Sequence, residues 1–237
     1  MSPLPRIPAL SGAFIVPKRL IEKGPLTLVD FYDWNAEQNP EHPLFRFHDG
    51  SQITTICWKD AVRASHRAAR FFSSSVIQQD ATPPVVGILA NTDTVTYFTS
   101  IMGMFRAGIT VFTISTRNSA EAVRHLLTVT NTQYIFTSQE PAIVALAEAA
   151  LESGPPVSTH HMPEFKDIYV ADENVPYTYP SGTRDPDAPA LILHSSGQSS
   201  WGTAQPFTQV LSIRFHCVPQ AHRTFSTTGG RMDSHSL

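Results

Sequence analysis

The chain has 237 residues, enough for one large domain or two small ones. It is 41% hydrophobic and 16% charged, with a formal net charge of −3, which indicates a globular protein with no general attraction to nucleic acid or anionic membranes. Cys57 and Cys217 are too far apart and too few for a disulfide framework or a zinc site, so we expect free thiols in a reducing compartment. No apolar run approaches the roughly 20 residues that span a bilayer, and we expect a cytoplasmic protein.

The first third of the chain predicts a helical and hairpin region behind a flexible leader. Residues 1–25 are rich in proline and lack periodicity, which is typical of a leader. Residues 26–39 have one apolar face and predict a helix. Residues 43–47 and 52–58 predict the two strands of a hairpin, and 59–72 predict a helix with small and aromatic contact positions.

From residue 85 onward, strand and helix patterns alternate. The run from Val85 to Leu89 is apolar throughout, as in a strand buried on both faces. The predicted strands are 85–89, 109–114, 133–137, 168–170 and 190–194, and the predicted helices are 93–106, 118–130 and 141–152. This alternation predicts an α/β fold in which a parallel sheet is layered by helices.

The composition changes after Gly197. Residues 198–237 are rich in Ser, Thr, Gln, His and Arg, contain no lysine, and have Asp233 as their only acidic residue. Only residues 210–215 have the pattern of a strand. We expect an aberrant, disordered tail, because so little apolar area cannot offset the entropy of ordering it.

A candidate phosphate-binding segment follows the last strand of the alternating region. Its polar and small residues are Ser195, Ser196, Gly197, Ser199 and Ser200. Glycine allows close approach of the backbone, successive backbone N–H groups can point at phosphate oxygens, and hydroxyls donate further hydrogen bonds. Taken alone, such a loop is also an ordinary connection between elements.

Three sequence blocks, taken together and in their order along the chain, strengthen the phosphate-binding interpretation. Trp58–Val62, Met104–Ser115 and His194–Gly197 resemble segments of the adenylate-forming (AMP-binding) superfamily. The residues of these segments are most similar to the adenylation domain of fungal nonribosomal-peptide-synthetase-like adenylate-forming reductases of secondary metabolism. The resemblance implies that residues 26–197 are a partial adenylation domain, its N-terminal subdomain, which would use ATP and Mg²⁺ to activate a carboxylic acid.

The chain departs from the family pattern after Gly197. The family loop continues Ser/Thr-Thr-Gly-x-Pro-Lys, whereas residues 198–204 lack both the proline and the lysine. The resemblance also implies a later Thr-Glu pair, a ribose-binding Asp and a catalytic lysine, whereas residues 198–237 contain no glutamate and no lysine. We therefore assign no catalytic residue, and expect a truncated domain that is inactive alone and whose tail arises from a frameshift, a retained intron or a premature stop.

Two other functions stay open at this point. The chain could be an interaction or regulatory fragment that pairs with a homologous full-length synthetase, or a residual acid- or nucleotide-binding module completed in trans. We assign no metal ligands: His160, His161, Glu164 and Asp167 sit in a proline-flanked connector, 155–163, that we interpret as a solvated linker. Residues 63–70, with three arginines and His66, are interpreted as a solvated helix face. Met102 and Met104 are predicted to fill the core.

Overall fold

The computed structural model describes residues 13–18, 27–48, 50–77, 83–170, 189–195 and 209–213. Within these ranges the helices are α1 (Leu28–Gln38), α2 (Trp58–Ser75), α3 (Thr94–Arg106), α4 (Ala120–Val129), α5 (Pro141–Leu151) and α6 (Phe165–Tyr169). The strands are β1 (Pro43–His48), β2 (Ile53–Cys57), β3 (Val85–Leu89), β4 (Thr110–Thr113), β5 (Tyr134–Thr137), β6 (Ser158–His161), β7 (Leu191–Ser195) and β8 (Gln209–Ile213).

The strands form a hairpin and one larger sheet. Strands β1 and β2 pair antiparallel, as their patterns predict. The larger sheet has the order β6-β5-β3-β4-β7-β8, in which the first five strands are parallel and β8 runs antiparallel to β7. The predicted α/β fold with a parallel sheet layered by helices is therefore confirmed.

One side of the sheet, the α2–α3 face, carries helices α1, α2 and α3. Its core includes Phe72, Phe136 and the predicted core residues Met102 and Met104, all fully buried. Helices α2 and α3 pack very closely at Gly103, where an added Cβ would lie 2.4 Å from the Cβ of Ala68. The absence of a side chain at Gly103 is therefore what permits this helix contact.

The other side, the α4–α5 face, carries helices α4 and α5 over strands β3, β4 and β5. Its buried apolar side chains form one cluster. They are Leu89, Phe112, Ile114, Val123, Leu126, Leu127, Ile135, Ile143, Ala147, Ala150 and Ile192. Helices α1, α2 and α3 thus cover one face of the sheet, and α4 and α5 cover the other.

Side chains and left-handed residues define the helix ends. Thr27, Asp93 and Ser119 accept hydrogen bonds from backbone N–H groups in the first turns of α1, α3 and α4. Helices α3 and α4 both end in a Schellman motif, with Gly108 at φ 74° after α3 and Asn131 at φ 50° after α4. Both ends direct the chain into the next strand.

Most predicted elements are confirmed, but residues 155–170 are not. The predicted strand at 168–170 is wrong, because Ile168 is buried within helix α6, where the Glu164 N–H donates to the Asp167 carboxylate at 2.8 Å. The predicted solvated linker is also wrong. It contains strand β6, which pairs with β5, and the His160 ring stacks on Phe136 with centroids 5.2 Å apart.

Contacts in the structure also bear on two further predictions, the solvated helix face at 63–70 and the leader. The solvated helix face is wrong for His66, which is buried, and for Arg67, whose Nε donates to the backbone oxygen of Ile168. Within the expected leader, Ile15 exchanges two hydrogen bonds with the Asn39 side chain, at 2.8 and 2.9 Å. The described part of the leader thus lies against the end of α1.

Candidate functional site

The carboxyl ends of β3, β4 and β5 are joined by one asparagine. The Asn91 backbone N–H donates to Ser138 Oγ at 3.1 Å, and its Nδ2 donates to Glu140 Oε2 at 2.9 Å. Its Oδ1 accepts from Thr116 Oγ1 at 3.1 Å. Because Asn91 follows β3, Thr116 follows β4 and the other two follow β5, this network fixes three loops at one edge of the sheet.

The carboxyl ends of β4 and β7 are joined by a histidine. His194 Nε2 accepts a hydrogen bond from the Ser115 backbone N–H at 3.1 Å, and Asn118 Nδ2 lies 3.5 Å from the same nitrogen. The ring also meets Phe112 edge-on, with centroids 6.1 Å apart. Burial lowers the pKa of His194 from its ordinary value, so the imidazole is neutral at neutral pH.

The predicted phosphate-binding residues begin where β7 ends. Ser195 is the last residue of β7, and its Cα pairs with that of Gln209 in β8. The structure therefore brings Ser195 to the same edge as Asn91 and Ser115. Ser196, Gly197, Ser199 and Ser200 lie outside the described residues, so their part in the site stays a prediction.

A cleft of about 440 Å³ opens at this edge between the ends of β3 and β5. The order in which strands are added reverses between β3 and β5. The chain passes from β3 to β4 toward one edge of the sheet, and from β5 to β6 toward the other. Open α/β sheets hold ligands at such switch points. The cleft is lined by Asn91, Thr92, Asp93, Ser138, Gln139, Glu140, Met162, Pro163, Glu164 and Phe165.

The sequence interpretation missed this network and the cleft. A usable signal was present, because polar residues follow each of the predicted strands, as in Asn91 after β3 and Ser138 after β5. Parallel strands bring such residues to a common edge. What the pattern could not reveal is which side chains pair, since the partners lie 25 to 49 residues apart.

The described carboxylates at this edge already have partners. Asp93 Oδ1 accepts from the Thr96 N–H at 2.8 Å, and Glu140 accepts from Asn91. In the part of the chain that the structure describes, no group of three His, Cys, Asp or Glu side chains is arranged to hold a metal ion. The described residues thus do not fit a resident magnesium site.

In the same ranges, no helix has the length and apolarity needed to cross a membrane.

A parallel sheet with helices on both faces and polar loops collected at its carboxyl edge is the architecture of a doubly wound α/β domain. The AMP-binding enzyme family matches residues 32–198. The chain belongs to this family, as the three blocks and their order predict.

Similar proteins and folds agree with this assignment. Adenylate-forming reductase Nps10 of Heterobasidion annosum is 36% identical over 231 residues, which cover 90% of this chain and 21% of that protein. Adenylate-forming reductase Nps9 of Serpula lacrymans is 31% identical over 194 residues, which cover 78% of this chain and 17% of that protein. The chain thus spans about a fifth of the length of these curated relatives.

Solved structures share the fold at low sequence identity. An acyl-CoA synthetase of Brucella canis has a TM-score of 0.59 at 15% identity, over 80% of this chain and 33% of that one. The nonribosomal peptide synthetase FmoA3 in an AMPPNP-bound form has a TM-score of 0.54 at 13% identity, over 80% of this chain and 18% of that one. The fold is therefore that of the N-terminal region of adenylate-forming enzymes.

Proposed function

We propose that this chain carries the phosphate-binding end of an adenylation domain that serves ATP-dependent activation of a carboxylic acid. We further propose that the 237-residue chain does not make acyl adenylates by itself. The observation that carries the first part is the position of Ser195, which β7 brings to the carboxyl edge of the sheet. The family match, which reaches residue 198, supports the same reading.

The loop chemistry suits a polyphosphate. The hydroxyls of Ser195, Ser196, Ser199 and Ser200 can donate to phosphate oxygens, and Gly197 allows backbone N–H groups to approach them. Magnesium would arrive with the nucleotide, since the described carboxylates at this edge are engaged elsewhere. The ion would neutralise charge on the phosphates.

The expected inactivity follows from the residues that accompany the loop. Attack of a carboxylate on the α-phosphate develops charge that preorganised cations stabilise. Residues 198–237 contain neither lysine nor glutamate, so this part of the chain has no side chain for the family's lysine and magnesium-linked glutamate roles. Loss of one preorganised contact typically lowers the rate about a hundred- to a thousandfold, and several losses leave no measurable turnover.

Binding and turnover are tested separately. We expect MgATP to raise the melting temperature of the chain, because a ligand that binds the folded state stabilises it. Gly197→Leu should abolish this rise, whereas the matched control Gly230→Leu, in the tail, should keep it. ATP–pyrophosphate exchange with a panel of aliphatic and aryl acids should stay at background. No nucleotide-dependent rise would refute the binding proposal, and acid-dependent exchange would refute the inactivity proposal.

A second candidate function is a module completed in trans. It is favoured by the fact that the curated relatives are about five times as long as the matched region. A homologous full-length synthetase would then supply the lysine and glutamate roles. Size-exclusion chromatography of the chain mixed with such a synthetase should give a shared peak and restored exchange, and separate peaks would exclude this function.

A further inference from the structure

The two nitrogens of the His194 imidazole differ: within the described ranges, Nε2 has a hydrogen-bond partner and Nδ1 has none. Nε2 faces the Ser115 backbone N–H, which can only donate, so Nε2 must present its lone pair. The proton of the neutral ring therefore sits on Nδ1. This nitrogen is buried and has no hydrogen-bond partner among the residues that the structure describes. This arrangement therefore permits only one tautomer of the neutral ring.

We propose that His194 is a positioning residue, locked in the Nδ1–H tautomer, that holds the carboxyl end of β7 against that of β4. Backbone pairing between β4 and β7 does not reach their carboxyl ends, because the register pairs only Val111 with Leu191 and Phe112 with Ile192. Beyond those pairs, the Ser115–His194 hydrogen bond continues the contact between the strand ends. It sets the place from which Ser195 leaves the sheet.

Two further observations support this role. The Phe112 ring meets the imidazole edge-on and restrains its plane. Burial disfavours the charged ring, and a second proton on Nε2 would oppose the Ser115 N–H directly. The link to a phosphate-binding loop rests on the proposed function, whereas the tautomer and the strand contact do not.

The tautomer is measured by nitrogen-15 NMR of the ring in the full chain at neutral pH, without nucleotide. We expect Nε2 to resonate as an unprotonated nitrogen and Nδ1 as a protonated one. A proton on Nε2, or a charged ring, would overturn the proposal. Because no nucleotide is present, this outcome is independent of whether the chain binds ATP.

Amide hydrogen exchange tests the strand contact. His194→Phe keeps a ring but removes the acceptor, and we expect the Ser115 amide to exchange about tenfold faster. His194→Gln, whose side-chain oxygen can replace Nε2, should restore protection. The Ile114 amide, which donates to Ile88 at 2.9 Å, serves as the internal reference and should not change relative to other core amides. Equal exchange of Ser115 in the wild type and His194→Phe would reject the role, and a phenylalanine variant that fails to fold leaves the tautomer measurement to decide.

Discussion

The two faces of the sheet are stabilised in different ways. Among the described residues, the α4–α5 face buries no ionisable side chain, whereas the α2–α3 face buries a guanidinium and an imidazole. Arg106 of α3 forms a two-pronged ion pair with Asp33 of α1, at 2.6 and 3.0 Å, and its Nε donates to Ser65 of α2 at 3.1 Å. One side chain thus joins three helices. We therefore expect the stability of the α2–α3 face to depend on specific polar partners and on pH. The stability of the α4–α5 face should depend on how well its apolar side chains fill space.

The largest effect should come from breaking that ion pair. The Arg106 side chain is 1% exposed, so Asp33→Ala would leave a buried charge without its partner. Because the Asp33 side chain is 38% exposed, we expect the lower end of the range for buried pairs, a loss of about 3 kcal/mol in the free energy of unfolding, measured by urea denaturation. Glu37→Ala, on an exposed position of α1, is the control and should change stability by less than about 0.5 kcal/mol. A small effect of Asp33→Ala would show that the two faces do not differ in this way.

A methyl group at a glycine on each face should also separate them. An added Cβ at Gly103 would lie 2.8 Å from backbone atoms of the opposing helix, which cannot move aside easily. We expect Gly103→Ala to cost about 1 to 3 kcal/mol by urea denaturation, despite the better helix propensity of alanine. At Gly87, on the α4–α5 face, the nearest atom is a side-chain methyl carbon of Ile114 at 3.2 Å, which can shift. Gly87→Ala should therefore cost less, and the reverse order would contradict the close helix contact.

The α2–α3 face should lose stability in mild acid. Burial, together with the positive charge of Arg106, lowers the pKa of His66 from 6.5 to about 4, against the opposing effect of Asp33. The unfolded chain takes up this proton at a higher pH than the folded chain does, so stability is fully present above pH 6.5 and falls as the pH drops toward 4.

The expected loss over that pH range is on the order of 2 to 3 kcal/mol. It should be reduced in His66→Gln and unchanged in His125→Gln, a control at an exposed position of α4. Urea denaturation at a series of pH values measures it. An identical pH dependence in wild type and His66→Gln would exclude His66 as the cause.

The smallest effects should come from the two matched helix ends. Gly108 and Asn131 occupy the same position of the same motif, both with positive φ. Gly108→Ala should cost about 1 kcal/mol, because a Cβ is disfavoured in this region. Asn131→Gly should raise the free energy of unfolding by about 0.5 kcal/mol, since glycine suits the position better. Thermal denaturation of the pair measures both, and equal shifts of the same sign would contradict the assignment.

Sequence patterns predicted the elements that bury a regular face. Val85–Leu89 was readable because a strand covered on both sides is apolar throughout, and Thr94–Arg106 because it carries an N-cap and a terminal glycine. Strand β6 was not readable, since Ser158–His161 at the sheet edge is polar and short. Helix α6 has five residues, too few for a helical period, and its Glu164–Asp167 spacing was the one available signal.

The site was predictable only in part. Ser195 could be placed at a strand end from local pattern alone. Contacts such as Ser115 with His194, which lie 79 residues apart, depend on strand order, and this order cannot be derived from local patterns.

The reversal of direction at β8 has a practical consequence for labelling. Ile213, the last residue of β8, pairs with Leu191, the first residue of β7, and so lies at the amino edge of the sheet. A fluorophore or affinity tag joined directly after Ile213 would therefore start on the opposite side from Ser195. Optical titrations with nucleotides could use such a handle without crowding the edge under study.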